Sequence, residues 1–417
     1  MKENDKLLID KLIEKYDSPL YILFADSVRT NFRKFKNEFS RVYPKTKIAY
    51  AYKANSISGL LKIIHEEGAL AEVASGFEYE MAKRLGVPGK SIVFNGPYKR
   101  KDELIKAIDD RALIIVDNKN ELEVIEEIAS SLGKSIEIGI RINTDVGIKQ
   151  LPDRFGFNLE SGDALEAITL CFENDLIRIV GLHIHLTSYI IEPTYIDNLT
   201  PARSIKLIWP KSFEMYRLAS EKVLKFAKQI RDKFGITLKY LDMGGGYPEV
   251  KFLKPYAKAI IEPIIDAYKD DEPMLILEPG RAIVKNAMHL ITTVVDVKEM
   301  TDEKRRITLD AGINLLPTSL WSLQEFEVVK KSDEKLKETI VYGPLCLQTD
   351  ILGITKLPHL NVGDRLIIKN VGAYNISQSS SFIFPRPYII LIDKNKITVL
   401  RRSETIKEIL SPEGHMS

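Results

Sequence analysis

Between residues 43 and 278, short β-rich runs alternate with amphipathic helical stretches, and this alternation constrains the fold more than any other feature of the chain. Strand, helix and strand repeated in this way build a parallel sheet with crossover helices. Eight such runs can be read, at 48–52, 71–74, 92–95, 113–117, 136–143, 179–185, 239–243 and 275–278. Eight βα repeats over about 235 residues match the size of a (β/α)8 barrel, typically about 250 residues. An open doubly wound sheet is the rival, but it rarely spaces eight strands so evenly.

After Gly280 the pattern changes. Runs at 290–297, 306–310, 339–342, 365–370, 388–392 and 397–400 read as strands with few long helices between them, which predicts a separate all-β domain. The early run Leu20-Tyr21-Ile22-Leu23-Phe24 adds a strand to it. The expected fold class is therefore α/β: a TIM barrel over 27–284, with a C-terminal β-sandwich or β-barrel domain drawn from 1–26 and 285–417.

Apolar residues make up 45% of the chain, enough for two cores, and 60 basic against 58 acidic residues leave a net charge of +2. That balance gives no reason to expect a nucleic-acid or membrane partner. No apolar run approaches a bilayer-spanning length, and the acids among residues 1–6 argue against a signal peptide. Cys171 and Cys346, the two cysteines, suggest a reducing compartment. A cytoplasmic protein acting on small molecules is the expectation.

One connection stands out by length, from Ser188 to about Lys211. It holds Tyr189, Tyr195 and Trp209 among Pro193, Pro201 and Pro210, a composition suited to an ordered lid; a tolerated surface insertion is the alternative.

The residues that could do chemistry gather at predicted strand ends, where parallel α/β folds keep their active sites. Lys53 ends the first run, though a strand-end lysine is ordinarily a solvated surface group. Gly244-Gly245-Gly246 ends the seventh, where consecutive glycines let backbone N–H groups approach an anion. Glu278-Pro279-Gly280-Arg281 ends the eighth and places an acid and a base together, either as an ordinary ion pair or as a carboxylate that keeps a ring nitrogen cationic. His183 and His185 face one side of the sixth strand. No third metal ligand is evident beside them, and an imidazole stacked on a flat cofactor explains His185 better than a metal does. Cys346 lies in a turn, where a thiol can serve as proton donor or nucleophile if a neighbour tunes it, or simply as a small apolar group.

Taken in order, Tyr52-Lys53-Ala54-Asn55, Val73-Ala74-Ser75-Gly76, Arg154-Phe155-Gly156, His183-Ile184-His185-Leu186-Thr187-Ser188, Gly244-Gly245-Gly246, Glu278-Pro279-Gly280-Arg281, Gly343-Pro344-Leu345-Cys346 and Gly372-Ala373-Tyr374 make a specific set. From about Pro19 to Pro387 the chain resembles the fold-type III pyridoxal-phosphate decarboxylases, the group of diaminopimelate, ornithine and arginine decarboxylases. The resemblance implies pyridoxal 5'-phosphate as cofactor, carried as an imine on Lys53, with His185 stacked on its ring and Glu278 at the ring nitrogen. Ser188, Gly244, Gly245, Gly246, Gly280, Arg281, Tyr374 and Arg154 would complete the cofactor's surroundings, with Arg281 and Tyr374 also near the substrate. Cys346 would reach into the partner subunit's site as proton donor, so a head-to-tail homodimer would be the minimal active unit.

The departures bear on the substrate. Diaminopimelate and ornithine decarboxylases carry an acid directly after the motif cysteine; here the residue is Leu347. The segment that supplies an Arg-Pro and a tyrosine for the distal carboxylate reads Leu316-Pro317, with Trp321 where the tyrosine falls. Thr187 replaces a glycine and Glu72 an aspartate. The first two departures predict α-decarboxylation of a derivatised or acylated diamino acid, such as a citryl-diaminopropionate, with Leu347 and Trp321 in the substrate pocket and Arg203 and Lys206 of the lid binding extra carboxylates; Thr187 and Glu72 sit nearer the cofactor. A diaminopimelate decarboxylase with a rearranged pocket is the alternative; a silent homologue acting through mixed dimers is a third, against which retention of Lys53 and Cys346 argues.

Overall fold

Alternating apolar residues that point both inward and toward the covering helices make each barrel strand a nearly continuous buried run. The computed structural model describes residues 3–147, 154–186, 189–197, 200–207, 212–268, 272–300, 303–322, 324–330 and 335–413, with side chains from residue 8 onward and outside 189–212. The barrel strands are β1 (Thr46–Ala51), β2 (Leu70–Val73), β3 (Ile92–Phe94), β4 (Leu113–Val116), β5 (Ile136–Asn143), β6 (Ile177–Ile184), β7 (Tyr240–Asp242) and β8 (Met274–Leu277). Each pairs in parallel with its sequence neighbour, β8 pairs with β1, and β4 pairs with β5, so the eight close into a barrel. Tyr240 fills the interior with Ala49, Val93, Ile115, Val180 and Ile276. Gly139 and Gly181 make room for it, since a Cβ at Gly181 would lie 2.2 Å from the Tyr240 ring.

By contacts the chain divides into two compact units: Arg29–Ile190 with Leu207–Ile283, and Met1–Val28, Ile191–Lys206 and Val284–Ser417. The second is built on a nine-stranded sheet in which Leu20–Phe24 lies antiparallel to Met288–Glu299 and parallel to Ile389–Asp393. Two of its strands, Glu325–Val328 and Ile351–Leu357, were not expected from the sequence. Neither was the helix Glu3–Tyr16, whose Ile9, Leu12 and Ile13 cover a core of Leu20, Ile22, Ile291 and Ile390. The connection expected to be a loop from Ser188 contains two paired strands, Tyr189–Asp197 and Thr200–Leu207.

Candidate active site

The end of β1 places Lys53. A single turn of 3-10 helix, Tyr52–Ala54, buries Tyr52 and Ala54 and turns Lys53 to the mouth of the barrel, with its side chain 37% exposed. Its ammonium pairs with Glu72, a buried carboxylate whose residue stands in register with Ala51. Asn95, just beyond β3, donates its amide to Glu72 at 3.3 Å and to Glu278 at 2.5 Å, and so bridges the two acids.

Glu278 follows β8 and is fully buried. Besides Asn95 it faces His183 Nε2 at 3.4 Å and His185 Nδ1 at 3.9 Å. Burial alone would raise its pKa, but His183, His185 and Lys53 outweigh burial and hold the carboxyl well below the usual range. Burial lowers the His183 pKa to about 4, with Glu278 opposing only in part, so this imidazole is neutral near pH 7. Asp242, at the end of β7, goes the other way: burial first, then the neighbouring Glu278, push its carboxyl well above the usual range.

The glycine triplet threads between β6 and β8. Gly244 adopts φ +63°, and a Cβ there would lie 2.5 Å from the Ile184 carbonyl oxygen. Gly245 donates its N–H to His185 Nδ1 at 3.1 Å, while a Cβ on it would lie 2.5 Å from the Glu278 carbonyl oxygen. A Cβ on Gly280 would meet that of Ala54 at 2.7 Å, and half-buried Arg281 begins the short helix that follows.

Lys53, His185, Gly244, Gly245, Glu278 and Gly280 are thus brought to one end of the barrel. Arg154 is exposed, with its guanidinium 4.4 Å from the centre of the Phe155 ring, a cation–π contact. Ser188 and Thr187 lie outside the described residues, as do the side chains of Arg203 and Lys206. In the second unit Cys346 and Leu347 are exposed on one turn, Trp321 is half-buried after the short helix Pro317–Leu320, and Leu316 is buried. Tyr374 is half-buried at φ +66°, next to Asn375, whose Oδ1 accepts the Thr318 hydroxyl at 2.8 Å.

Sequence reasoning missed Asn95, Asp242 and Glu78, each a single polar residue at a strand end or first helical turn. It also missed that His183, without His185, lies close to two buried carboxyls: one polar atom each of His183, Asp242 and Glu278 lie within 4.8 Å of one another.

The cluster fits pyridoxal phosphate. A lysine able to form an imine, a buried carboxylate for the ring nitrogen and a glycine turn too tight for side chains are the three groups such a cofactor needs. His183 Nδ1, Asp242 Oδ2 and Asn95 Oδ1 are buried polar atoms without hydrogen-bond partners among the described residues, marking the site as polar to its floor.

Comparison with known proteins points the same way. The family model for the pyridoxal-binding domain of pyridoxal-dependent decarboxylases matches residues 25–205 and 211–285. The diaminopimelate decarboxylase of Methanocaldococcus jannaschii is 30% identical, with 97% of this chain and 92% of the relative covered. That of Bacillus subtilis is 28% identical over 96% of this chain and 92% of its own length. A crystal structure of the M. jannaschii enzyme superposes with a TM-score of 0.85 at 30% identity, covering 97% of this chain and 94% of that one. A lysine/ornithine decarboxylase of Vibrio vulnificus, at 24% identity and a TM-score of 0.75 over 95% of this chain and 99% of that one, shares the fold.

Proposed function

The chain belongs to the fold-type III pyridoxal-phosphate-dependent decarboxylases, the diaminopimelate and ornithine decarboxylase family, and from that premise we propose that it removes the α-carboxylate of a derivatised or acylated diamino acid. When bound, pyridoxal phosphate supplies an electron sink for the pair of electrons released with CO2. Lys53 would carry the cofactor, and its pairing with Glu72 supports the role by fixing the ammonium at the barrel mouth. Glu278, anionic and buried, is suited to hold a proton on the ring nitrogen. His185 is the flat group available to stack on the ring, its orientation set by the Gly245 N–H. Backbone N–H groups of the triplet, with Ser188, Arg281 and Tyr374, would bind the phosphate or substrate carboxylate.

We further propose a homodimer in which Cys346 of the partner subunit donates its thiol proton to the carbon that has lost CO2. Its exposure on a turn supports this reading, because a thiol meant to serve another copy must be accessible.

The substrate reading rests on one observation: the residue after Cys346 is Leu347, an exposed apolar side chain where an acid would be needed for a distal ammonium. Buried Leu316 agrees, since an arginine for a distal carboxylate is likewise missing there. The test is CO2 release by the protein with added pyridoxal phosphate, across diaminopimelate, lysine, ornithine, arginine and acylated diamino acids. Release from an acylated substrate is expected. Release from diaminopimelate alone would overturn the reading in favour of the second one, a diaminopimelate decarboxylase, which the similarity to relatives of that name favours.

A further inference from the structure

Asp242 stands in register with His183 on the neighbouring strand and is buried to 1% exposure. One of its oxygens, Oδ1, accepts the Gly244 N–H at 2.9 Å; the other has no hydrogen-bond partner among the described residues. A carboxylate oxygen of Asp242 lies within 4.8 Å of both Glu278 and His183. Two carboxylates so close in a water-poor site do not both ionise, because each charge loses hydration and repels the other. The surroundings decide which one keeps the charge. Glu278 receives the Asn95 amide at 2.5 Å and lies 3.4 Å from His183 Nε2, whereas Asp242 has one backbone N–H.

We propose that Asp242 is a positioning residue held as a neutral carboxylic acid, so that Glu278 is the single anion where β7 and β8 end and stays available to the cofactor's ring nitrogen. The functional half of this inference rests on the Glu278 assignment made above; the protonation half does not. The groups facing Asp242 support it. Glu278 on β8 repels a charge there, His183 on β6 is neutral near pH 7, and Glu72 on β2 adds a more distant negative charge. Tyr240 on the same strand and Tyr247 beyond the triplet have their phenol pKa values raised by burial, with Asp242 contributing, and stay uncharged. Lys53 and His185 are turned to Glu72 and Glu278.

The sign of the pH dependence follows. A carboxyl whose folded pKa exceeds its unfolded value keeps its proton in the folded state, so the protein loses stability as pH rises above the ordinary carboxylate range. Asp242→Asn, permanently neutral, removes that loss. In protein freed of cofactor, the melting temperature of Asp242→Asn relative to wild type should rise by roughly 2 °C or more between pH 5 and pH 8. The wild-type minus variant infrared difference spectrum at pH 7 should contain a protonated-carboxyl C=O band. Absence of that band, or a melting temperature lowered equally at both pH values, would overturn the proposal; so would a divalent metal co-purifying at one per chain and lost in Asp242→Asn. Should the variant not fold, NMR of isotope-labelled aspartate carboxyl carbons in the wild-type protein reads the same proton, and an aspartate still protonated at pH 7 is the expected result. In the cofactor-loaded protein, Glu278→Gln should shift the visible absorbance maximum. An unchanged maximum would sink the ring-nitrogen assignment alone, leaving the cofactor-free result to stand or fall separately.

Discussion

Asp350 Oδ2 accepts the backbone N–H of Leu345 at 2.8 Å, and so fixes the turn that presents Cys346. Its Oδ1 accepts the Ile313 N–H, also at 2.8 Å, so one buried carboxylate ties that turn to the loop after the strand Lys304–Leu309. Gly312 and Gly343 let both segments press against it; a Cβ on Gly343 would lie 2.3 Å from Oδ2. Asp350→Ala would leave the two N–H groups without their acceptor. The expected cost is roughly 1–3 kcal/mol per group, read by denaturant unfolding. Turnover should fall by at least about tenfold with cofactor affinity unchanged, because a mobile thiol is worse placed than a fixed one. Unchanged turnover alongside lost stability would mean that the position of Cys346 does not limit the reaction.

Glu78 predicts a pH effect. Ser75 caps the helix Gly76–Arg84 by accepting the Glu78 N–H, while Glu78 Oε2 accepts the Ala74 N–H at 2.8 Å. Burial pushes the Glu78 carboxyl up to about 7, with Glu72 adding to the shift and the Ala74 N–H and Lys53 opposing it. Since the folded pKa lies above the ordinary value of 4.5, the folded state holds an extra proton between them, and stability falls as pH rises through that window. Glu78→Gln keeps the acceptor without the charge. It should match the wild type near pH 4 and exceed its stability at pH 8 by on the order of 3 kcal/mol. Chemical denaturation at the two pH values decides it, and a gain of the same size at both would place the effect outside the carboxyl's titration.

Gly245→Ala probes the triplet without invoking backbone strain. The added methyl would lie 2.5 Å from the Glu278 carbonyl oxygen and 3.1 Å from His185 Cε1, and the first of these is backbone. The turn must move, carrying with it the N–H that orients His185. Affinity for pyridoxal phosphate should drop by about tenfold or more, with a stability loss of about 1–3 kcal/mol. A fluorescence titration with the cofactor reads the first effect, and undiminished affinity would show that the triplet is not part of its site.

These residues also show what sequence alone could reveal. All eight barrel strands were legible because apolar runs and helical periodicity recur at nearly even spacing, although β6 ends at Ile184 rather than at His185. In the second unit, Glu325–Val328 and Ile351–Leu357 escaped notice because each is short or broken by a polar residue or Gly353. Gly353 packs against Phe326: a Cβ there would meet that ring at 3.1 Å, a contact visible only once both strands are placed. The helix Glu3–Tyr16 escaped because its charged residues mask three apolar positions that one sheet face covers. At the site, Lys53, Glu278 and the glycine triplet stand in recognisable motifs. Asn95, Asp242 and Asp350 do not, and they become partners only through strand register and turn closure.

Leu347 carries the remaining prediction. Its carbonyl accepts the Asp350 N–H at 3.1 Å, so the backbone is held in the turn while the side chain, 41% exposed, points to solvent. Exchange at such a position usually changes stability by less than about 0.5 kcal/mol, so Leu347→Glu should fold as the wild type does. A carboxylate there would offer a distal ammonium the charge partner it now lacks, and a charge-assisted hydrogen bond contributes about 1.5–3 kcal/mol. That range corresponds to a rise of about tenfold or more in kcat/KM for diaminopimelate or ornithine, accompanied by a fall for acylated substrates whose distal nitrogen is neutral. Steady-state CO2 release with both substrate classes measures the two changes together. If neither moves, the far end of the substrate is not read at position 347, and the 188–211 segment becomes the place to look for it.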